Sequence, residues 1–211
     1  MKVLLFNGSS NLNGCTYTAL SIVAESLEKN GIETEIIQLG KDAIKDCIGC
    51  GYCKKKDLGC VFQDDIVNEV IEKAKTADGF VFGSPVYYAH PSGRLLAFMD
   101  RLFYAGAKHF AYKPAAAIVS ARRAGTSASL DAIQKHFLIN NMPVISSNYW
   151  NMVHGAQNSP KDVMKDIEGV QIMRVLGENM AWILKCIQTG KKSGINSPKI
   201  EDKIFTNFIR P

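Results

Sequence analysis

The 211-residue sequence has no apolar run near the ~20 residues that a membrane-spanning helix requires. Its opening stretch, Met1-Lys2-Val3-Leu4-Leu5-Phe6, reaches Asn7-Gly8 too soon for a secretory signal peptide. Both absences lead to the expectation of a cytoplasmic protein with no membrane partner, in a compartment that keeps thiols reduced. The loop after the first apolar run contains no G-x-G-x-x-G and no phosphate-loop lysine, so no dinucleotide pyrophosphate cradle is expected there. No basic stripe interleaves with aromatic residues along one helix, which argues against a nucleic-acid partner. The net charge of +5 is densest at Lys54-Lys55-Lys56 and Lys191-Lys192. There is no internal repeat, linker or low-complexity stretch, so residues 1–211 are expected to form a single domain.

At 46% hydrophobic and 21% charged residues, the composition is that of an ordinary globular protein, and the length suffices for one α/β domain. Residues 2–6 form a continuous apolar run, the pattern of a strand buried on both faces. A helix follows from about Cys15, with Leu20, Val23 and Leu27 on one face and Gly31 just past its end. Residues 33–38 read as the second strand, and Asp64-Asp65 as the opening of a helix that runs to about Lys75. Gly79 to Phe82 is the third strand, followed by a helix over about 92–104. Ala115 to Val119 is the fourth strand, 127–139 a helix, and Pro143 to Ser146 the fifth strand. One long amphipathic helix is expected over 160–188, within a C-terminal helix and tail spanning 160–211. Strands alternating with helices at this rhythm indicate a doubly wound parallel sheet.

Four of the six cysteines fall in one fourteen-residue stretch: Cys47, Cys50, Cys53 and Cys60, spaced C-x2-C-x2-C-x6-C. Thiols in such number and spacing suit a soft metal or an iron–sulfur cluster. Zinc ribbons usually separate their two cysteine pairs by a dozen or more residues, unlike this stretch. Gly49, Gly51 and Gly59 are interleaved with the thiols and free the backbone to approach sulfur. Reduced thiols capping a loop, a redox disulfide and a zinc staple are the alternatives. The stretch reads as a cysteine-rich loop over 41–63, inserted after the second strand.

Ligands of doubly wound sheets sit beyond the carboxyl ends of the strands. The loop after strand one carries Ser9, Ser10, Asn11, Asn13 and Thr16, donors that could grip a phosphate monoester such as that of flavin mononucleotide at a helix N-terminus. The same residue types are also ordinary helix caps. The loop after strand three, Gly83-Ser84-Pro85-Val86-Tyr87-Tyr88-Ala89-His90, offers backbone groups and two aromatics at the height of a flavin ring. The loop after strand four, Ser120-Ala121-Arg122-Arg123-Ala124-Gly125, offers positive charge where reduction leaves negative charge on the pyrimidine. Tyr87 and Tyr88 as rim aromatics, and Arg122 and Arg123 as a solvated pair, are the plainer alternatives.

On these residues the chain resembles the NADPH-dependent FMN reductase group of flavodoxin-like proteins, and within it the iron–sulfur flavoproteins. The family's phosphate loop, G-S-P-R-x-x-G-N-T, stands here as Gly8-Ser9-Ser10-Asn11-Leu12-Asn13-Gly14-Cys15-Thr16. The ring loop G-S-P-x-Y is Gly83-Ser84-Pro85-Val86-Tyr87, followed by Ser92-Gly93-Arg94-Leu95 and Met99-Asp100-Arg101. Arg122-Arg123-Ala124-Gly125-Thr126 and Tyr149-Trp150-Asn151-Met152-Val153-His154-Gly155 are also similar to family stretches. The likeness covers about residues 1–188. Asn11 takes the place of an arginine and Cys15 that of an asparagine, and both departures touch the phosphate grip.

The resemblance implies a flavodoxin-like five-stranded parallel sheet in the order 2-1-3-4-5. It also implies FMN bound by Ser9, Ser10, Asn11, Asn13, Cys15, Thr16, Ser84, Pro85, Val86, Tyr87, Tyr88, Ser120, Ala121, Arg122, Arg123 and Gly125. A [4Fe–4S] cluster on Cys47, Cys50, Cys53 and Cys60 follows from the same likeness. The activity implied is an FMN-dependent oxidoreductase moving electrons between NAD(P)H, a transient co-substrate, or ferredoxin and a small or protein acceptor. No side chain is needed as a catalytic acid or base. The assembly implied is a homodimer or homotetramer, with Tyr149 and Trp150 as contacts, and Lys54, Lys55 and Lys56 could steer an acidic ferredoxin. The competing readings are a cluster-free NAD(P)H:FMN or quinone reductase, a non-enzymatic flavodoxin-like carrier, and a zinc-stapled scaffold.

Overall fold

The computed structural model describes every residue except 57–58, 157–158, 207 and 209–211. Strand β1 (Lys2–Asn7) takes an interior position in the sheet because its run of apolar residues can be buried on both faces. Alternate side chains go to opposite sides: Leu4 and Phe6 join one core layer, Val3 and Leu5 the other. Helix α1 (Cys15–Lys29) and strand β2 (Glu33–Gln38) follow, and β2 pairs in parallel with β1 from Lys2↔Glu33 to Asn7↔Gln38. The cysteine-rich segment comes next, with a short helix α2 (Tyr52–Lys56), and then α3 (Val67–Thr76).

Strand β3 (Gly79–Tyr87) lies on the other side of β1, and it folds back through a two-residue antiparallel strand, β4 (His90–Pro91). Helix α4 (Gly93–Gly106), β5 (Ala115–Ala121), α5 (Thr126–Ile139) and β6 (Met152–His154) follow. The parallel strands stand in the order β2-β1-β3-β5-β6, and β4 pairs with β3 off this path. Leaving out the β4 hairpin, this is the expected 2-1-3-4-5 order. One core layer lies among the sheet, α3, α4 and α5, where Phe6, Phe80, Phe82, Phe98, Phe103, Phe110 and Phe137 meet. The other lies under α1 and the last helix, α7 (Ile167–Lys192). These two helices pack so closely that a methyl group on Gly177 would sit 2.4 Å from Ser26 Cβ.

Two expectations are corrected. The sequence predicts a fifth strand at Pro143–Ser146, but only Val144 bridges β5 there, opposite Ala115, and the paired strand is Met152–His154. The chain pairs with the same β5 edge twice: Pro143 and Ile145 bond around Ala115, Asn151 then accepts from Val119, and residues 146–150 loop out in between. Asn151 is suited to bring the chain back, because its side chain donates to the Ile145 carbonyl at 3.3 Å. The single helix expected over 160–188 is divided into α6 (Pro160–Val163) and α7. Asp166 accounts for the division: its carboxylate caps Gly169 N–H at 2.9 Å and takes His154 N–H at 2.6 Å, tying the start of α7 to β6. Among the described residues, no helix is long and apolar enough to cross a membrane.

Candidate functional site

The exits of β1, β3 and β5 are stitched together. Gly8 N–H donates to Gly83 O at 2.8 Å, and a Cβ on Gly8 would lie 2.8 Å from that same oxygen. Only glycine permits this approach. Ser92, which caps α4 through Leu95 N–H, sends its hydroxyl to Gly8 O and its backbone N–H to Ser84 Oγ, each at 2.9 Å. Thr16 Oγ1 and Ser120 Oγ share a hydrogen bond of 2.8 Å with both residues buried. The three loops expected to surround one ligand are thus brought together at the carboxyl edge of the sheet.

The first loop is organised from below. Asn7, fully buried at the end of β1, accepts from Ser9 N–H at 3.1 Å and donates to Asn11 O and to Gln38 Oε1. Gln38 in turn donates to Ser9 O at 2.6 Å, and Ser9 Oγ accepts from Asn11 N–H at 3.1 Å. This scaffold fixes the turn and leaves other donors unused. Among the described residues, the side chains of Ser10, Asn11 and Asn13 have no protein partner. The N-cap of α1 is Gly14, with no side-chain cap bond, so the hydroxyl-rich loop does not serve as an ordinary cap. Uncapped first-turn amides at the positive end of a helix, next to unused amide and hydroxyl groups, suit a phosphate.

Cys15 begins α1 with its thiol turned inward, donating to Ser159 O at 3.5 Å and packed where a methyl on Gly155 would lie 2.8 Å away. Burial pushes this thiol up from its ordinary pKa. Its sulfur is thus engaged against Ser159 and Gly155, and its backbone N–H is one of the first-turn amides of α1 that no side chain caps.

At the end of β3, Ser84 is buried and Pro85 and Val86 half-buried, whereas Tyr87 is 51% and Tyr88 105% exposed. Tyr88 and Ala89 form the β3–β4 turn with φ of 47° and 62°, a conformation costly for residues with side chains. Gly125, at the foot of α5 with φ 88°, lies beneath it, and a Cβ there would come within 2.6 Å of Ala89 Cα. Ser120 and Ala121 are buried, and Arg122 and Arg123 are exposed, with no hydrogen bond or ion pair among the described residues. Tyr149 and Trp150, half-exposed in the 146–150 excursion, pack edge to face with ring centres 4.8 Å apart. Sequence reasoning missed Asn7, Gln38 and Ser92 as supports of this edge: Gln38 bonds Ser9 from 29 positions away and Ser92 bonds Gly8 from 84, while Asn7, which bonds the nearby Ser9 and Asn11, reads as the polar end of an apolar strand.

On the side of the sheet occupied by α4, the four cysteines line one cavity of about 450 Å³, with Phe62, Asp100, Arg101 and Tyr104 in its wall. They surround this space without converging on a point: among the described residues, no three Cys, His, Asp or Glu side chains form a single-ion site. Gly49, Gly51 and Gly59 have φ of 63°, 67° and 79°, the left-handed turns that let the loop wind around the cavity. Helix α4 clamps the segment at two levels. Arg94 donates to the carbonyls of Asp42 and Lys41 at 2.9 and 2.7 Å, and Arg101 reaches the Lys45 carbonyl at 3.2 Å. Arg101 is 1% exposed and forms a forked pair with Asp65, which also accepts Val67 N–H at the start of α3. The same helix thus begins at the stitched loops and ends at the cysteine cavity. The donor set of four thiols beside a buried guanidinium is one that an anionic sulfur-ligated centre would match.

The family model for NADPH-dependent FMN reductase matches residues 1–157. An iron-sulfur flavoprotein of Methanocaldococcus jannaschii is 32% identical over 194 residues, covering 89% of this chain and all of that protein. A solved flavone reductase superposes with a TM-score of 0.67 at 20% identity, over 89% of this chain and 64% of its own. An archaeal flavodoxin does so with 0.57 at 16%, over 88% and 99%.

Proposed function

We propose that this chain, which belongs to the NADPH-dependent FMN reductase family, binds FMN across the stitched loops and passes its electrons to or from a [4Fe–4S] cluster on Cys47, Cys50, Cys53 and Cys60. The chain is a flavodoxin-like oxidoreductase. The observation that carries the proposal is the convergence of the β1, β3 and β5 exits, with the α1 amides left uncapped beside Ser10, Asn11 and Asn13.

In this reading the α1 amides, Ser9, Ser10, Asn11, Asn13, Cys15 N–H and Thr16 hold the phosphate. Asn11 does so as a neutral donor. Ser84, Pro85, Val86, Tyr87 and Tyr88 form one wall of the ring site, and Ser120, Ala121 and Gly125 the other. Arg122 and Arg123, exposed and without an ion pair among the described residues, would supply positive charge to the pyrimidine. Bound FMN supplies the chemistry, accepting a hydride from reduced nicotinamide and releasing electrons singly or in pairs. The chain contributes position and field, and no side chain has to take or give a proton in the hydride step. The described residues form one sheet with its flanking helices, and in this scheme donor and acceptor use the same open face of the flavin in turn. The exposed Lys54 and Lys55 beside the cysteine cavity suit the approach of an acidic protein such as ferredoxin. Tyr149 and Trp150 suit a contact with another copy of the chain.

Anaerobic purification, followed by assays for acid-released flavin, iron and acid-labile sulfide, tests both cofactors. Steady-state oxidation of NADH and NADPH is expected to give parallel double-reciprocal lines. Intersecting lines would reject the shared-face scheme, and iron without sulfide would reject the cluster.

A further inference from the structure

Cys60 is held differently from the other three thiols around the cavity. Its backbone N–H donates to Asn68 Oδ1 at 2.7 Å, and Asn68 Nδ2 donates back to the carbonyls of Cys60 and Phe62 at 3.0 and 2.8 Å. Asn68 stands on α3, inside a helix anchored in the core by Val67, Val70 and Ile71. The preceding Gly59 is in close contact with Asn68, since a Cβ there would lie 2.5 Å from its Oδ1. The sulfur is held as well: Arg101 Nε–H donates to Cys60 Sγ at 3.1 Å. Among the described residues, the sulfurs of Cys47, Cys50 and Cys53 accept no such bond.

Arg101 is an expensive residue to place here. Withdrawing a guanidinium from water costs several kcal/mol, and this one is 1% exposed. Asp65 offsets the charge through a forked pair, the Lys45 carbonyl takes a further N–H, and the Phe62 ring lies 4.9 Å from the guanidinium carbon. With Nη1 and Nη2 engaged by Asp65 and the Lys45 carbonyl, the Nε–H is the donor that meets the Cys60 sulfur in the cavity wall. A neutral thiol is a weak acceptor for such a donor, whereas a ligating thiolate makes a charge-assisted bond.

Resting on the cluster reading above, we infer that Cys60 is the preset ligand of the cluster and that Asn68 and Arg101 are its positioning residues. Arg101 in addition favours the reduced cluster, because an N–H donated to a ligand sulfur stabilises the added negative charge and raises the reduction potential. The remaining three cysteines close onto Cys60 from the glycine-rich loop.

Arg101→Lys keeps a cation for Asp65 and removes the fixed Nε–H. After anaerobic reconstitution, the wild type and this variant are compared by potentiometric titration followed by electron paramagnetic resonance, and by the rate of iron loss to a chelator. The variant is expected to keep its flavin content and circular dichroism, to titrate at a more negative potential, and to lose iron several-fold faster. Wild-type potential together with wild-type iron loss would overturn the inference. Should Arg101→Lys fail to fold, Asn68→Ala decides: several-fold faster iron loss supports the assignment and an unchanged rate overturns it. Wild-type protein that takes up neither iron nor sulfide would refute the cluster reading itself, and the inference with it.

Discussion

Thr16 and Ser120, 104 residues apart in sequence, share a buried hydroxyl–hydroxyl hydrogen bond of 2.8 Å. It ties the first turn of α1 to the end of β5, and so sets the distance between the proposed phosphate loop and the Arg122–Arg123 loop.

Removing one hydroxyl leaves the other buried and unpaired, which costs about 1–3 kcal/mol. Thr16→Val and Ser120→Ala are each expected to lower stability by about that much and to weaken FMN binding. The double variant is expected to cost less than the sum, because the second change removes the orphan. Urea unfolding and fluorescence titration with FMN measure both effects. Strictly additive losses would show that the bond couples nothing.

Gly125→Ala sets a side chain at φ 88° and 2.6 Å from Ala89 Cα, under a turn that already carries two positive-φ residues. The strain alone is about 1–3 kcal/mol, and relief requires the Tyr87–His90 hairpin to move. We expect lower thermal stability and a several-fold weaker affinity for FMN. Gly93→Ala is the control, since a Cβ there meets nothing within 4 Å.

Glu35, on β2, bonds Lys2 and Lys73, and these two cations hold its carboxyl below the ordinary range, Lys2 first. A depressed carboxylate pKa stabilises the fold above the unfolded value and loses that contribution as pH falls through the folded one. Glu35→Gln is therefore expected to cost up to about 1 kcal/mol at pH near 7, a modest amount because the pair is partly solvated. The difference from wild type should shrink at acid pH, as the pH falls below the ordinary glutamate range and through the depressed folded value. Urea midpoints at the two pH values check the sign, and a difference that grows in acid would contradict it.

The central strands were legible because β1, β3 and β5 are buried on both faces and so consist of unbroken apolar runs, such as Val3-Leu4-Leu5-Phe6 and Ala115 to Val119. The loops that follow them were legible because their chemistry is local: hydroxyls, amides and glycines immediately past each run. The edge strand was not. Its pairing is split between Val144 and Met152–His154, and neither piece is long enough to carry a periodic signal. The break before α7 depended on Asp166 finding His154 across a loop. The cysteines stood out by spacing, but the residues that hold them did not: Asn68 is 8 and Arg101 41 positions from Cys60, and although Arg101 falls in a family-like stretch, nothing in that stretch points to the cysteines.

The most direct test of the account is flavin stoichiometry in chain variants of the stitched edge. Wild-type protein, purified anaerobically and supplied with FMN, is expected to be yellow and to release equimolar FMN on acid denaturation. Thr16→Val and Gly125→Ala are expected to release several-fold less under the same conditions. A colourless wild type that takes up no FMN when it is supplied would contradict the central claim, whatever the cysteines hold.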